Sequence, residues 1–261
     1  MQNNKNTKPK TLCLLSLLTL LSGCASTNPK DPWQSWNRGA QTFNDGFDSY
    51  IMKPVAQGYD WVMPSFAHHG VTNFFSNLDD ISVIVNDALQ GKLSQSGQDS
   101  ARLLVNSTVG VGGLIDVGSR LNLPKHNEDF DQTLGYWGVG TGPYLVLPFF
   151  GPSSPRGVTG MITDLALNPI SYTGIYFGYG SDMSWIVSGG LGALKAVDSR
   201  ANNLGLERVV SEAAIDRYEF FKNAYLSHRN FLVHDGNVPE TEDVLKLEEQ
   251  NGNGLAPISP Y

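Results

Sequence analysis

The chain has 261 residues, 41% of them hydrophobic, with 28 glycines, 14 prolines and a formal net charge of −7. That acidity argues against nucleic acid, whose binding runs on Lys and Arg neutralising phosphates, and against electrostatic capture by anionic lipid. Any membrane contact must therefore be apolar, and the length suits one large domain or two small ones.

Lys5, Lys8 and Lys10 precede an apolar run from Leu12 to Leu21. This is the layout of a secretory signal, and it is too short for a transmembrane helix. It ends in Leu21-Ser22-Gly23-Cys24, a small-residue cleavage site followed at once by cysteine, as in a bacterial lipobox. The Cys24 thiol is the expected lipid anchor, and more than one acyl chain is needed for a stable hold. Ala25, rather than Asp, points the product to the outer membrane. Removing residues 1–23 takes away three lysines and no acid, so the net charge of −7 becomes −10 over the 238 remaining residues. Cys13 leaves with the signal and Cys24 is acylated, so the mature chain has no cysteine left for a disulfide or a thiolate metal site. Residues 24–30 read as a tether, 31–233 as the folded domain and 234–261, with six acids and one lysine, as a disordered acidic tail.

The domain opens on Asp31-Pro32-Trp33-Gln34, read as a cap, a proline at N1 and the far half of a capping box. Trp33, Trp36, Ala40, Phe43, Phe47 and Tyr50 follow at gaps of three and four, an amphipathic helical stripe. Asn37, Gln41, Asn44, Asp45 and Asp48 fill another face, and Pro54 is expected to end or kink the helix. Such a stripe faces either a protein core or a membrane interface. Its start nine residues after Cys24 favours the interface, with the polar residues turned to a water-accessible channel.

Further helices are predicted over 71–90, stopped by Gly91, and over 98–108, followed by a tight turn at Gly110, Gly112 and Gly113. Pro155 opens a helix over 158–167 that Pro169 closes. A glycine-weakened helix covers 181–199. The last and longest helix is expected over 206–232, on a stripe that begins Leu206, Val209, Val210 and Ala213, with Gly236 beyond its end. No period-two strand series is evident, so the fold class is all-α, with a Gly/Pro/aromatic insertion over 122–154.

Within that insertion, residues 137–152 (WGVGTGPYLVLPFFGP) carry no charge. Pro143 and Pro148 exclude a helix or a central strand. Trp137, Tyr144, Phe149 and Phe150 suit a headgroup boundary, and Leu145, Val146 and Leu147 suit acyl chains. The expected structure is a membrane-inserted hairpin bent at Gly138, Gly140 and Gly142, lining a passage because lipid cannot satisfy its backbone. On that reading a charge at Val146 leaves the helices folded.

Motifs for chemistry are missing: the sequence has no HExxH, CxxC, GxSxG or Walker loop. His68 and His69 are adjacent and do not share a helix face. Asp79-Asp80 and Asp129/Asp131 suit solvated helix ends and turns. The expectation is no catalytic residue, no metal and no cofactor.

Residues 31–235 resemble the VacJ/MlaA lipoproteins. The resemblance rests on Asn37-Arg38, Phe43-Asn44-Asp45, Lys53-Pro54-Val55-Ala56, Gln90-Gly91 and Gly110-Val111-Gly112-Gly113-Leu114-Ile115-Asp116. It continues through Glu128-Asp129-Phe130, Gln132-Thr133-Leu134-Gly135, Gly138-Val139-Gly140, Gly142-Pro143-Tyr144, Leu147-Pro148 and Gly151-Pro152-Ser153. Ile81, Asp131 and Gly157 depart from the pattern, where proline, glycine and aspartate are usual. The resemblance implies a helical ring in the inner leaflet of the outer membrane, beside a trimeric porin. Such a ring removes phospholipids that have strayed into the outer leaflet. It passes them through an amphipathic channel to a soluble periplasmic carrier that feeds an inner-membrane ABC transporter, without covalent chemistry. The competing readings are a lipid hydrolase using His68 or His69 with a nearby acid, which lacks a nucleophile motif, and a tether between membrane and cell wall.

Overall fold

The computed structural model describes residues 31–178, 180–205 and 216–238. The signal, Cys24, the tether, the Leu206, Val209, Val210 and Ala213 stripe and the tail past residue 238 lie outside the described residues. The architecture is helical, as expected. Helix α1 (Gln34–Phe47) runs through a π-helical turn (Asp48–Met52) into α2 (Lys53–Val62). Next come α3 (Ser65–Leu89) and α4 (Leu93–Thr108), packed as an antiparallel pair, then the short α5 (Phe130–Tyr136). A hairpin of β1 (Leu145–Leu147) and β2 (Gly151–Ser153) leads into α6 (Pro155–Leu167), α7 (Thr173–Phe177), α8 (Ser181–Asn202) and α9 (Arg217–Val233). Among the described residues no helix is long and apolar enough to cross a membrane.

Several local expectations change. The first helix does not end at Pro54: it passes into the π turn just before the proline, which sits in the first turn of α2. Asp31 is not a cap either. Its carboxylate accepts from the Tyr218 hydroxyl at 2.6 Å and the Lys222 ammonium at 3.3 Å, tying the chain start to α9. The run over 206–232 is not one helix. Asp216 is extended and caps α9 by accepting from the Tyr218 and Glu219 N–H groups, and the longest described helix is α3, at 25 residues.

The glycine turn after α4 is as expected, with Gly112 and Gly113 at φ +68° and +90°. A β-carbon at Gly110 would stand 2.2 Å from the Ile115 carbonyl oxygen, so only glycine closes this turn. Pro155 and Gly91 also act as read, opening α6 and following α3 at φ +77°.

Burial runs opposite to an ordinary water-soluble domain. Eight hydrophobic and nineteen polar or charged residues are buried among the described residues. On α3 the buried face is Phe75, Asn77, Asp80, Val83, Asn86 and Asp87, while on α4 it is Asp99, Arg102 and Asn106. Buried charges are paired, as they must be: Asp80 with Lys125, Arg102 with Asp116 at 2.7 Å, and Asp131 with Arg156 at 2.5 Å. Outside, Trp61, Phe66, Ile175 and Trp185 are each about four-fifths exposed or more. They sit on α2, α3, α7 and α8, which pack on one another as α2 on α8, α3 on α8 and α7 on α8.

One buried group has a measurable pH signature. Asp87 and Asp99 are both fully buried. Asp87 accepts from the Gln95 amide at 2.8 Å, and Asp99 lies 2.8 Å from the His126 ring nitrogen Nδ1. Glu128 and Lys92 complete the cluster, with Asp235 also on Lys92. Burial, then the hydrogen bond to Asp99 and its charge, push the Asp87 carboxyl up to about 7. The folded state holds a proton that the unfolded chain releases near 3.8, so this group's contribution to stability falls as pH rises from that value to about 7. Asp87→Asn keeps an acceptor for Gln95 and a donor for Asp99. It should melt higher than the parent at pH 8, with the gain vanishing by pH 4. A gain independent of pH would mean that the carboxyl does not hold this proton.

Candidate functional site

The 144–153 hairpin builds the site. Its strands pair Leu145 with Ser153, Val146 with Pro152 and Leu147 with Gly151. A two-stranded sheet leaves the outer edge of β1 with unmet backbone groups, and these need partners when buried. Helix α1 supplies them from side chains. Asn37 donates to the Tyr144 carbonyl at 2.8 Å and accepts from the Val146 N–H at 2.8 Å, presenting the donor and acceptor a third strand would. Trp36 donates to the Val146 carbonyl at 3.0 Å. Two turns further, Asn44 donates to the Leu147 carbonyl at 2.9 Å and accepts from the Phe149 N–H at 2.7 Å. The Phe149 ring stands edge-on to both Phe43 and Phe47 at 5.0 Å.

Asn37 and Asn44 on the polar face of α1 are therefore a rail for the hairpin, which corrects their assignment to a water channel. Asn37 is fully buried and Asn44 is committed to backbone. Asp48 is held by Arg200 through two bonds of 2.6 and 2.8 Å, and Asp45 by Arg217 at 3.4 Å. Gln41 is half-buried, and its side-chain oxygen accepts no hydrogen bond. None of the five lines the cavity described below.

The apolar assignments divide. Val146, at 2% exposure, and Tyr144, at 4%, join Ala40 and Tyr218 in a cluster of buried hydrophobics, with Tyr225 packed on it. They face protein, not lipid, because strand alternation turns them toward α1 and α9. Leu145, Leu147 and Trp33 are half-buried. Trp36, Phe43, Trp137, Phe149 and Phe150 remain exposed, and Phe47 is intermediate. Gly138 and Gly142 bend the chain at φ +87° and +77°. Gly140 does not. The turn itself uses Phe149 and Gly151 at positive φ instead.

Beneath the hairpin lies a cavity of about 660 Å³. Leu147, Phe150 and Pro152 of the hairpin and Met161 and Leu165 of α6 give it an apolar lining. Asp79 of α3, Glu128, Asp129, Asp164 of α6, Lys195 of α8 and His228 and Arg229 of α9 bring charge and polarity. Arg229 is tied to Asp129 at 2.5 Å and to Asp131 at 3.1 Å. Asp164 accepts from Ser82, Asn86 and the Phe130 N–H, and its burial still pushes the carboxyl up. A second cavity of about 230 Å³ adjoins the first and shares Asp79, Val83, Asn127 and Lys195 with it.

The histidine pair lies elsewhere. His68 stands 3.4 Å from Asp198 and 3.7 Å from Asp60, and its ring stacks on His69. Among the described residues no cluster of three or more His, Cys, Asp or Glu is arranged to hold a metal. The sequence reading missed Lys195, Asp164 and Arg229. Lys195 had a signal: it is the single charged residue between Met183 and Val197.

These features define a class: a helical domain, polar inside and apolar outside, with a two-sided cavity under a pinned hairpin. The chain belongs to the MlaA lipoprotein family, whose model matches residues 29–232. The intermembrane phospholipid transport system lipoprotein MlaA of Shigella flexneri is 33% identical over 234 residues, covering 86% of this chain and 89% of its own. That of Escherichia coli K12 is 32% identical with the same coverage. A solved structure reported as "Structural basis for maintenance of bacterial outer membrane lipid asymmetry" superposes with a TM-score of 0.66 at 29% identity, covering 78% of this chain and 98% of that one.

Proposed function

We propose that this protein is an outer-membrane lipoprotein that withdraws phospholipids from the outer leaflet and passes them through its cavity toward the periplasm. The observation that carries this reading is the two-sided cavity inside a domain with an apolar exterior. A headgroup needs polar partners when taken from water, and Asp79, Lys195 and His228 line the route. Acyl chains need contact with apolar wall or lipid, and Leu147, Phe150, Met161 and Leu165 give the wall. The exposed aromatic and aliphatic residues of α2, α3, α7 and α8 suit seating in one leaflet, held by acyl chains on Cys24. The relatives' names, which speak of intermembrane phospholipid transport, support the substrate. A trimeric porin as neighbour, a soluble periplasmic carrier feeding an inner-membrane ABC transporter as acceptor, and transfer without covalent chemistry complete the proposal.

Leu165→Asp tests it. Leu165 lines the cavity and is 52% exposed, so the fold tolerates the change, while a charge now meets the acyl chains. The expected result is outer-leaflet phospholipid raised toward the level of cells lacking the protein, with membrane fractionation and helical melting unaltered. Normal asymmetry in cells that carry the folded variant would overturn the proposed route.

A further inference from the structure

The two cavities meet at an ion pair. Lys195 donates to both carboxylate oxygens of Asp79, at 2.6 and 2.8 Å, and Asn168 donates to one of them at 3.3 Å. Asp79 and Lys195 line both cavities, and their side chains stay 40% and 38% exposed. An ion pair this open gains little from its own attraction, so a ligand with matching charges displaces it readily. Neighbouring charges are less free to respond: Lys125 is committed to Asp80 and Arg229 to Asp129.

We propose that the Asp79–Lys195 pair makes the passage selective for zwitterionic phospholipid headgroups over purely anionic ones. The inference rests on the reading that phospholipid passes this cavity. A headgroup reaching the junction must separate the two side chains. A phosphate takes over Lys195 in either case. A headgroup that also carries an ammonium takes over Asp79, so one ion pair is exchanged for two. A glycerol headgroup leaves the carboxylate with hydroxyl donors only, facing the lipid phosphate as a like charge. The acidic net charge of the chain, −7 before the signal is removed, acts in the same direction at longer range.

The test uses the full-length acylated protein in vesicles holding equal amounts of phosphatidylethanolamine and phosphatidylglycerol, one of the two carrying a photoactivatable acyl chain. Adducts are mapped by mass spectrometry and counted only on the cavity wall residues Met161 and Leu165. The ethanolamine lipid should label them roughly five-fold more than the glycerol lipid, the ratio expected of one exposed ion pair. Asp79→Asn should bring the ratio to about one. Equal labelling in the parent chain, or a preference that survives Asp79→Asn, overturns the selectivity and leaves the proposed function standing. No wall labelling by either lipid overturns both.

Discussion

Val146→Asp is expected to unfold the domain rather than unseat it from a membrane. Val146 is 2% exposed and packs with Ala40, Tyr144 and Tyr218. Its backbone N–H and carbonyl are both spent on α1, through Asn37 and Trp36. A carboxylate among these buried side chains must be buried charged or take up a proton, at a cost on the order of 3–5 kcal/mol. For a domain of this size that lowers the melting temperature by roughly 6–20 °C. Helical melting in detergent, by circular dichroism, reads it directly. Val146→Ile, which keeps the site apolar, should change the melt little. A Val146→Asp protein that melts like the parent would return this residue to the lipid-facing assignment that composition suggested.

That reversal shows where the sequence was legible. Helix ends were readable where a glycine or proline stood next to a periodic stripe, as at Gly91 and Pro155. Those signals are local, and local geometry decides them. The hairpin was also readable, because glycines, prolines and aromatics without charge fit no other element. What could not be read was which side of each stripe is inside. On α3 and α4 most of the buried residues are polar, Asp80, Asn86, Asp99 and Arg102 among them, and the rule that hydrophobic stripes face a core does not find them. Asn37 and Asn44 did share a face, yet its partner was the main chain of the hairpin, more than a hundred residues away. Nothing in a period of 3.6 names a partner. The cavity was beyond reach for the same reason, since Asp79, Asp164, Lys195 and Arg229 come from four different helices.

Asn37→Ala is the second large effect, and Asn37→Asp tells why. The alanine leaves the Tyr144 carbonyl and the Val146 N–H buried without partners, at about 1–3 kcal/mol each, so a loss of roughly 2–5 kcal/mol is expected. It also frees the edge of a hairpin whose Leu147, Phe150, Pro152 and Ser153 wall the cavity, so outer-leaflet phospholipid should rise even at temperatures where the variant is folded. Asn37→Asp has almost the same shape. At neutral pH its carboxylate still accepts from Val146 but faces the Tyr144 carbonyl oxygen, and it adds a second acid near the Tyr218 hydroxyl that already donates to Asp31. It should therefore be at least as unstable as the alanine variant at pH 7. On acidification the two must part. A buried carboxyl beside two acceptors has its folded pKa raised above the ordinary value of about 3.9, so the penalty is incurred as pH rises from there and disappears as pH falls. Once protonated, it donates its O–H to Tyr144 and restores the rail. The melting difference between Asn37→Asp and Asn37→Ala, followed from pH 7.5 to 4, cancels every other titrating group to first order. If that difference is flat, the side chain at position 37 holds the hairpin by packing, and its two hydrogen bonds are incidental.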